Sequence, residues 1–466
     1  MNADVVRLCE AVRDAGGRAM LVGGSVRDRL LGIESKDSDI EVYGVEPARL
    51  REILEQIGPV NAVGEHFSVY KLVFYRPAQS STGDTNSFTS DDNRPRVRYE
   101  IDVSIPRRES KSGRGHRGFV IEGDPSMRVE EAARRRDFTI NAILVDPLTN
   151  DTCDPYGGRE DLARRVLRAV ASDTFVEDSL RVLRAVQLAA RFAMTIDPQT
   201  VALCRTIDLS DLPRERVWGE IEKLLTLADR PSIGLKAADD LRVLEQLFPE
   251  IAALKNKQSR LDNQSDQDAL THTGRALDAA VELTGDLSKP ERIAVLLATL
   301  CHELGETTTT STLIDSTDQE GLGVLKTLGV HTIAGYDVRS EVLALIREHL
   351  KPREFYQQRD TIADGDFRRL AQNVDMDLLY RVSKACAASR RAPASTVAED
   401  WFIEKARSLG VEHGPPAPLL LGRHLLDAGF QPGPQIGKVL RSVYELQLDG
   451  EVTTRDEALA AAQRIR

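Results

Sequence analysis

The stretch that most constrains the fold lies near the amino terminus, at residues 21–45, and reads LVGGSVRDRLLGIESKDSDIEVYGV. Its apolar start closes on a Gly-Gly pair, which predicts a short strand, a tight turn and the beginning of a helix. The segment SDIEVYGV then predicts a second strand, with Asp37 and Asp39 at its start. Because side chains alternate along a strand, Asp37, Asp39 and Glu41 are expected on one face. Carboxylates this close repel one another, so the strand is expected to need a cation beside it.

A divalent cation is the expected partner of these carboxylates. Mg²⁺ takes oxygen ligands, and two such ions about 3.5–4 Å apart can hold the attacking and leaving oxygens of a phosphoryl transfer. We therefore predict Asp37 and Asp39 as metal ligands and catalytic residues. Asp102, in the strand-like segment YEIDVSI, is predicted as the third catalytic carboxylate, from a neighbouring strand. Taken alone, an Asp-x-Asp pattern is more often a charge pair on a solvated strand edge.

The rest of the chain divides into a mixed first third and a helical remainder. HFSVYKLVF (66–74) and VRYEIDVSI (97–105) predict two further strands, and the polar segment 76–96 predicts an exposed extension. From about Asp173 onward, apolar residues recur at helical spacing. The predicted fold class is α+β, with a mixed sheet and helices followed by an elongated all-α body and tail.

Composition bounds the possible functions. The chain has 466 residues, too many for one hydrophobic core, and a formal net charge of −11. This charge argues against DNA as a partner, and 5% aromatic residues argue against broad stacking surfaces for single-stranded nucleic acid. Five scattered cysteines, an amino terminus without a signal-peptide pattern and no apolar run of about 20 residues predict a cytoplasmic protein with no membrane partner.

The order of the motifs carries more information than any one of them. An apolar strand, GGS, VRD, a short gap and then Asp-x-Asp resembles the nucleotidyltransferase superfamily of DNA polymerase β type. More narrowly, VGGSVRDRLLG…KDSDIEVYG resembles the bacterial (class II) tRNA nucleotidyltransferase and poly(A) polymerase family. The resemblance implies a polymerase-β-like palm, Mg²⁺ as cofactor, CTP and ATP as substrates and the 3′ acceptor end of tRNA as partner. It also implies that Gly23, Gly24, Ser25 and Arg27 position the triphosphate.

A downstream segment extends the resemblance to the sugar. RRRDFTINAILVDP (134–147) is similar to the family segment that contacts the ribose. The likeness implies a nucleotide-binding role for Arg136, Asp137 and Asn141. A 2′-hydroxyl both donates and accepts hydrogen bonds, so a mixed polar cluster suits it.

The segment EDSLRVLRA (177–185) resembles the family's EDxxRxxR helix. Asp178 and Arg181 are three residues apart, which predicts neighbours on one helix face, with Arg184 a further turn along. In the family, the corresponding Asp and Arg present a protein edge to the incoming base, which implies nucleotide binding here without a template. The alternative interpretation is a surface ion pair, worth a few tenths of a kcal/mol.

Two further segments match the family less closely. The basic, Gly- and Ser-containing run PRRESKSGRGHRGF (106–119) predicts a flexible loop, and in the family a loop in this region helps to govern specificity. DALTHTGRALD and LLATLCHELGE resemble the HD-domain segments of some bacterial members, with His272 and His302 matching. Glu303 stands where the family has Asp, and its extra methylene predicts a displaced carboxylate. We therefore expect a degenerate HD-like domain.

One function is predicted, with its alternatives. It is template-independent CCA addition, in which the RNA 3′-hydroxyl attacks the NTP α-phosphate and pyrophosphate leaves. The alternatives are a poly(A) polymerase, a CC-only or A-only tRNA nucleotidyltransferase and, from another class, an HD-type phosphohydrolase. The predicted domains are a nucleotidyltransferase head (1–150), a helical neck and body that binds the nucleobase and tRNA (151–260), an HD-like domain (261–365) and a helical tail (366–466).

Overall fold

The computed structural model divides the chain into two compact units, Met1–Asp211 and Leu212–Arg466. The predicted domain boundary at residue 150 lies inside the first unit, and the division into four domains remains a proposal. The structure describes residues 3–33, 38–62, 69–77, 87–89, 95–111, 119–255, 257, 268–304, 321, 323–390 and 395–465.

A mixed sheet forms the centre of the first unit. The strands of the unit are β1 (Arg18–Leu21), β2 (Ser38–Tyr43), β3 (Val60–Ala62), β4 (Val69–Pro77), β5 (Ser87–Thr89), β6 (Pro95–Ser104), β7 (Arg107–Lys111), β8 (Phe119–Gly123), β9 (Leu144–Val145), β10 (Thr152–Cys153), β11 (Val166–Leu167) and β12 (Thr195–Ile196). The main sheet has the order β10-β9-β1-β2-β6-β4-β3, and β5 pairs with β6. Its pairings are antiparallel except for that of β2 with β6, which is parallel.

Helices cover both faces of this sheet. The helices of the first unit are α1 (Ala3–Asp14), α2 (Gly24–Leu30), α3 (Pro47–Ile57), α4 (Val129–Arg134), α5 (Gly158–Ala163), α6 (Ser172–Phe175), α7 (Leu180–Arg191) and α8 (Pro198–Cys204), with a 3-10 helix at Thr139–Asn141. On one face, Ile40 and Val42 of β2 pack in a core with α1 and α3. On the other face, Met20 and Tyr43 pack with Ala133 of α4. The strand alternation in the sequence therefore produces a sheet with two covered faces.

The predicted strands are present, and one predicted loop is wrong. β2 and β6 confirm the strands expected there, and β4 continues to Pro77. The basic run 106–119 was expected to be a loop, but residues 107–111 form β7, which pairs antiparallel with β8, a strand that begins at the last residue of the run. The ribbon satisfies backbone groups that a loop would leave to water. Residues 112–118, and most of the polar segment 76–96, lie outside the described residues.

The second unit is all-α in its described part. Its helices are α9 (Arg214–Leu227), α10 (Pro231–Asp240), α11 (Val243–Leu247), α12 (Pro249–Ala252), α13 (Ala269–Glu282), α14 (Lys289–Cys301), α15 (Val338–Glu348), α16 (Lys351–Gln357), α17 (Asp364–Leu370), α18 (Met376–Ala388), α19 (Val397–Ser408), α20 (Gly422–Asp427), α21 (Pro434–Leu448) and α22 (Arg455–Ile465). α14 packs against α13, α15 and α18. Among the described helices, none has the length and hydropathy that a membrane span requires. The α+β class followed by a helical part is confirmed.

Candidate active site

Two carboxylates from neighbouring strands meet in one cleft of the first unit. The parallel register of β2 and β6 places Asp39 directly opposite Asp102. Ile40 and Val42 are fully buried in the core, so alternation directs Asp39 to the other face of β2. Asp39 and Asp102 both line a cavity of about 320 Å³. The structure therefore brings two of the three predicted carboxylates together, whereas Asp37 lies outside the described residues.

The donor set of this cleft suits a hard cation. Oδ1 of Asp102 is buried and has no hydrogen-bond partner among the described residues. Nζ of Lys71, on the adjacent strand β4, lies 3.5 Å from this oxygen, and the same ammonium donates to Oε2 of Glu100 at 2.7 Å. A buried, unsatisfied carboxylate oxygen is costly unless a cation approaches it. Asp39 and Asp102 thus fit the oxygen ligands of a divalent ion.

The Gly-Gly turn packs directly against Asp39 and Arg136. Gly23 has φ +71°, a left-handed conformation that favours glycine. A Cβ atom added at Gly23 would lie 3.2 Å from Nη1 of Arg136 and 3.6 Å from Oδ2 of Asp39. The hydroxyl of Ser25 donates to the carbonyl of Val22 at 2.9 Å, which closes the turn. Gly24 follows as the first residue of α2.

Arg27 is buried behind this turn. Its Nη1 donates to Oδ1 of Asn141 at 2.8 Å, and its Nη2 donates to Oδ1 of Asp28 at 2.6 Å. The guanidinium lies 4.4 Å from the ring centroid of Phe192. Burial lowers the pKa of Arg27, and Asp28 opposes that effect. The structure therefore connects the first motif to the ribose-like segment through Arg27 and Asn141.

Asp137 joins the ribose-like segment to α7. Its carboxylate accepts from the backbone N–H of Phe138 at 2.8 Å, from Nδ2 of Asn141 at 3.0 Å and from Nε of Arg184 at 2.6 Å. Burial alone would raise the pKa of Asp137, but Arg184 and these hydrogen bonds hold it below its ordinary value. Two predicted nucleotide-binding residues, Asp137 and Arg184, thus form an ion pair in which the carboxylate is buried and the arginine is partly exposed.

The predicted Asp178–Arg181 helix face is wrong in one respect. α7 begins at Leu180, so Asp178 precedes the helix, and its Oδ1 accepts from the N–H of Leu180 at 3.1 Å. An aspartate there satisfies an amide at the helix start, which explains why the helix does not extend back to it. Arg181 donates from Nη1 to the carbonyl of Thr174 at 2.6 Å and from Nη2 to that of Arg135 at 2.7 Å. Arg181 nevertheless lines the same cleft as Asp39.

Several cleft residues were not predicted as site residues. Glu41 and Arg135 line the cleft. Lys71 places a positive charge 3.5 Å from Oδ1 of Asp102. Strand alternation signalled Glu41, because it lies two residues after Asp39. No local motif marks Lys71, because its position depends on the β4–β6 register. Arg135 lies within the segment RRRDFTINAILVDP, at the end of α4, but was not singled out there.

The second unit holds a separate buried cluster. Ligand atoms of His272, His302 and Glu303 lie within 4.8 Å of one another. Oε1 of Glu303 is 3.6 Å from Nε2 of His272 and 3.8 Å from Nε2 of His302, so the expectation of a displaced carboxylate is wrong. The residues meet because α13 and α14 pack together, and the longer side chain is accommodated at that contact.

The tautomer of His302 follows from its surroundings. Its Nδ1 lies 2.7 Å from the carbonyl of Thr299, and its Nε2 has no hydrogen-bond partner among the described residues. Burial, with His349 and His272 nearby, lowers the pKa of His302 well below its ordinary value. A neutral ring with the proton on Nδ1 presents the Nε2 lone pair to the cluster, as a metal ligand does.

Two known families match the chain. The poly A polymerase head domain matches residues 19–168, which contain the cleft. The probable RNA and SrmB-binding site of polymerase A matches residues 193–255. The first match places Asp39, Asp102 and Arg136 within one recognised domain.

Curated relatives extend the likeness to nearly the whole chain. A "Multifunctional CCA protein" of Stenotrophomonas maltophilia (strain K279a) is 34% identical over 430 residues, covering 90% of this chain and 96% of that protein. The chain belongs to the bacterial-type CCA-adding tRNA nucleotidyltransferases. A "Multifunctional CCA protein" of Xanthomonas campestris pv. campestris (strain B100) is 32% identical over 432 residues, covering 91% of this chain and 96% of that protein. Membership of this family implies the use of a divalent metal ion.

Solved structures share the fold of this CCA-adding family member. A CCA-adding enzyme in complex with CTP has a TM-score of 0.65 at 19% identity, covering 100% of this chain and 96% of that one. The Thermotoga maritima CCA-adding enzyme complexed with tRNA has a TM-score of 0.62 at 18% identity, with the same coverage. These likenesses confirm the predicted fold class.

Proposed function

We propose that this chain completes the 3′ end of tRNA by adding CMP and AMP without a template. The 3′-hydroxyl of the RNA attacks the α-phosphorus of CTP or ATP, a new phosphodiester bond forms, and pyrophosphate leaves. The observation that carries the proposal is the pairing of Asp39 with Asp102 in a cleft that Arg136 and Arg181 also line. Phosphoryl transfer needs such positioned charge more than covalent participation by the protein.

Mg²⁺ is the proposed metal, held by Asp37 and Asp39 with Asp102 as the third carboxylate. When bound, it would neutralise phosphate charge and stabilise the negative charge on the attacking and leaving oxygens. Carboxylate oxygens favour Mg²⁺ over softer metals, which supports this choice. The five cysteines are free thiols, which supports the cytoplasm as the place of action.

The remaining predicted residues take nucleotide-binding roles in this proposal. Gly23, Gly24 and Ser25 shape the turn beside the triphosphate, and Arg27 supports it from behind through Asn141. Arg136, Asp137 and Asn141 serve the ribose. Asp178, Arg181 and Arg184 serve the base, with Arg184 acting through Asp137. The helical second unit is proposed to hold the tRNA.

Incorporation assays test the activity and its alternatives together. Purified protein with Mg²⁺ and labelled CTP or ATP is offered tRNA that ends before CCA, tRNA that ends in CC, and an unrelated RNA. We expect two C residues and then one A on tRNA only. Addition that stops after CC, or addition of A alone, would identify a partial nucleotidyltransferase. Long A tracts on any RNA would identify a poly(A) polymerase.

A second candidate function is favoured by the buried His272, His302 and Glu303 cluster. Its geometry supports a bound divalent transition metal and, with it, hydrolysis of a phosphoester. The test compares the metal content of the full-length protein with that of His302→Ala after exposure to Zn²⁺, Ni²⁺ or Mn²⁺. We expect about one metal per chain in the first and none at this site in the second. Equal metal content in both proteins, or no hydrolysis of a generic phosphodiester by the loaded protein, would remove this candidate.

A further inference from the structure

A buried acid lies beside the catalytic carboxylates. Glu41 is on β2, two residues after Asp39, and only 9% of it is exposed. Burying a carboxylate is costly unless hydrogen bonds or a cation compensate. Its Oε2 accepts from the hydroxyl of Tyr43 at 2.6 Å and lies 3.4 Å from Nη2 of Arg136. Glu41 is therefore committed to two partners on the protein.

Tyr43 fixes the position of the Glu41 carboxylate through its hydroxyl group. It lies two residues further along β2, on the same face, and is buried in the core with Met20 and Ala133. Burial raises the pKa of Tyr43, and Glu41 raises it further, so the hydroxyl stays protonated and donates. The rigid ring fixes where that donor points, which fixes Oε2 of Glu41.

Arg136 occupies the gap between Glu41 and the Gly-Gly turn. Its Nη1 would lie 3.2 Å from a Cβ at Gly23, and its Nη2 faces Glu41. Its Nε is buried and has no hydrogen-bond partner among the described residues. The side chain lines the cleft together with Asp39. Glu41 thus supplies the acidic contact that keeps this guanidinium at the turn.

We propose that Glu41 and Tyr43 are positioning residues for nucleotide binding. Tyr43 fixes Glu41, and Glu41 holds Arg136 against the turn, ready for the ribose of the incoming nucleotide. This inference rests on the proposed ribose-binding role of Arg136. A long side chain loses rotamer freedom when it becomes ordered, so an arginine that is ordered beforehand binds its ligand at lower cost.

The test uses Glu41→Gln and Tyr43→Phe in the full-length chain. The first keeps the shape of the acid and removes its charge, and the second removes one hydroxyl. We expect the KM for CTP and ATP to rise about 10-fold, the size typical of lost supporting contacts, with kcat little changed. Preference for CTP over dCTP should fall as well. Tyr70→Phe is the matched control, because its buried hydroxyl donates to the carbonyl of Pro47 at 3.2 Å, away from the cleft.

A double-mutant cycle with Arg136→Ala separates the possible failures. If Glu41 acts through Arg136, adding Glu41→Gln to Arg136→Ala changes neither the KM nor the CTP preference further. If Arg136→Ala itself leaves both unchanged, the ribose role of Arg136 is wrong and the positioning proposal falls with it. If Arg136→Ala changes them while Glu41→Gln and Tyr43→Phe do not, only the positioning proposal is wrong. Thermal unfolding checks folding, and Tyr43→Phe decides the matter if Glu41→Gln fails to fold.

Discussion

Asp39 owes its position to its neighbours on β2. Ile40 and Val42 are fully buried, so the strand cannot rotate or slip by one residue without exposing them. The same constraint holds β6, where Ile101 and Val103 are fully buried on either side of Asp102. Two carboxylates are thus held together by apolar residues that are buried in the core and do not line the cleft.

Replacing Asp39 tests this site. Asp39→Ala is expected to lower the rate of CMP and AMP incorporation by about 10³-fold or more, at least the loss seen when a single stabilising group is removed from a transition state. Folding should persist, because Asp39 lies on the cleft face and not in the core. Incorporation kinetics and thermal unfolding measure the two effects. Asp14→Asn, an exposed change in α1, should alter neither. A near-normal rate for Asp39→Ala would disprove the site assignment.

Arg181 supports a different prediction. Arg181→Ala should reduce the discrimination between CTP and ATP by about 10- to 100-fold, which is what one pair of hydrogen bonds to a base edge provides. Its dependence on Mg²⁺ should change little, because the carboxylates remain. Competition between the two nucleotides measures the choice, and a Mg²⁺ titration supplies the comparison. A variant that keeps its nucleotide preference but needs more Mg²⁺ would place Arg181 with the metal site.

Among the elements, strands and motif order could be predicted, whereas contacts between distant motifs could not. Alternating apolar residues identified β2 and β6, and the resemblance identified the segments that we propose to bind the ribose and the base. The Asp137–Arg184 pair joins residues 47 positions apart and depends on how α7 lies against the segment that contains Asp137. The helix start at Leu180 also depended on a local amide contact of Asp178 that spacing alone does not show.

The Asp137–Arg184 contact between elements has a pH dependence. Because the pKa of Asp137 is held below its ordinary value, its ionised form stabilises the fold above about pH 4, the unfolded pKa. That contribution is lost as the pH falls through the folded pKa. Asp137→Asn should lower the free energy of unfolding at pH 7 by about 3 kcal/mol, at the low end for a buried pair because Arg184 is partly exposed. The substitution should also make the free energy of unfolding fall less steeply as the pH drops below about 4.

Denaturant unfolding between pH 7 and pH 3 measures both effects of Asp137→Asn. Asp173→Asn is the control, because the Asp173–Arg134 ion pair is exposed to solvent, where such a pair adds little to stability. Equal losses of unfolding free energy from the two variants would show that the Asp137–Arg184 pair stabilises the fold no more than an exposed ion pair does.

At the scale of the whole molecule, the sequence predicted an α/β head and a helical remainder, and both are present. It did not predict where the first compact unit ends. The expected boundary followed the end of the last strong strand pattern, whereas the unit continues through α7 and α8 to Asp211. One contact that joins α7 to the rest of the unit is the ion pair between Arg191 and Asp28 of α2, which no periodicity reveals.

The two-unit organisation predicts that stability can be changed in one unit at a time. Gly158 lies where an added Cβ would be 2.1 Å from the carbonyl oxygen of Thr139, so Gly158→Ala should destabilise the first unit by about 3 kcal/mol. Gly219 lies inside α9, and an added Cβ there meets nothing within 4 Å. Gly219→Ala should therefore stabilise the second unit by about 1 kcal/mol, because alanine favours a helix interior.

Calorimetry distinguishes these outcomes, since chains with several domains need not unfold in one step. Gly158→Ala should lower one transition and Gly219→Ala should raise another, each leaving the other transition in place. The double variant should show both shifts, because substitutions at independent sites add. A single transition that moves with either substitution would mean that the two units unfold as one cooperative body. Unfolding of the first unit by Gly158→Ala would then also unfold the helices of the second unit.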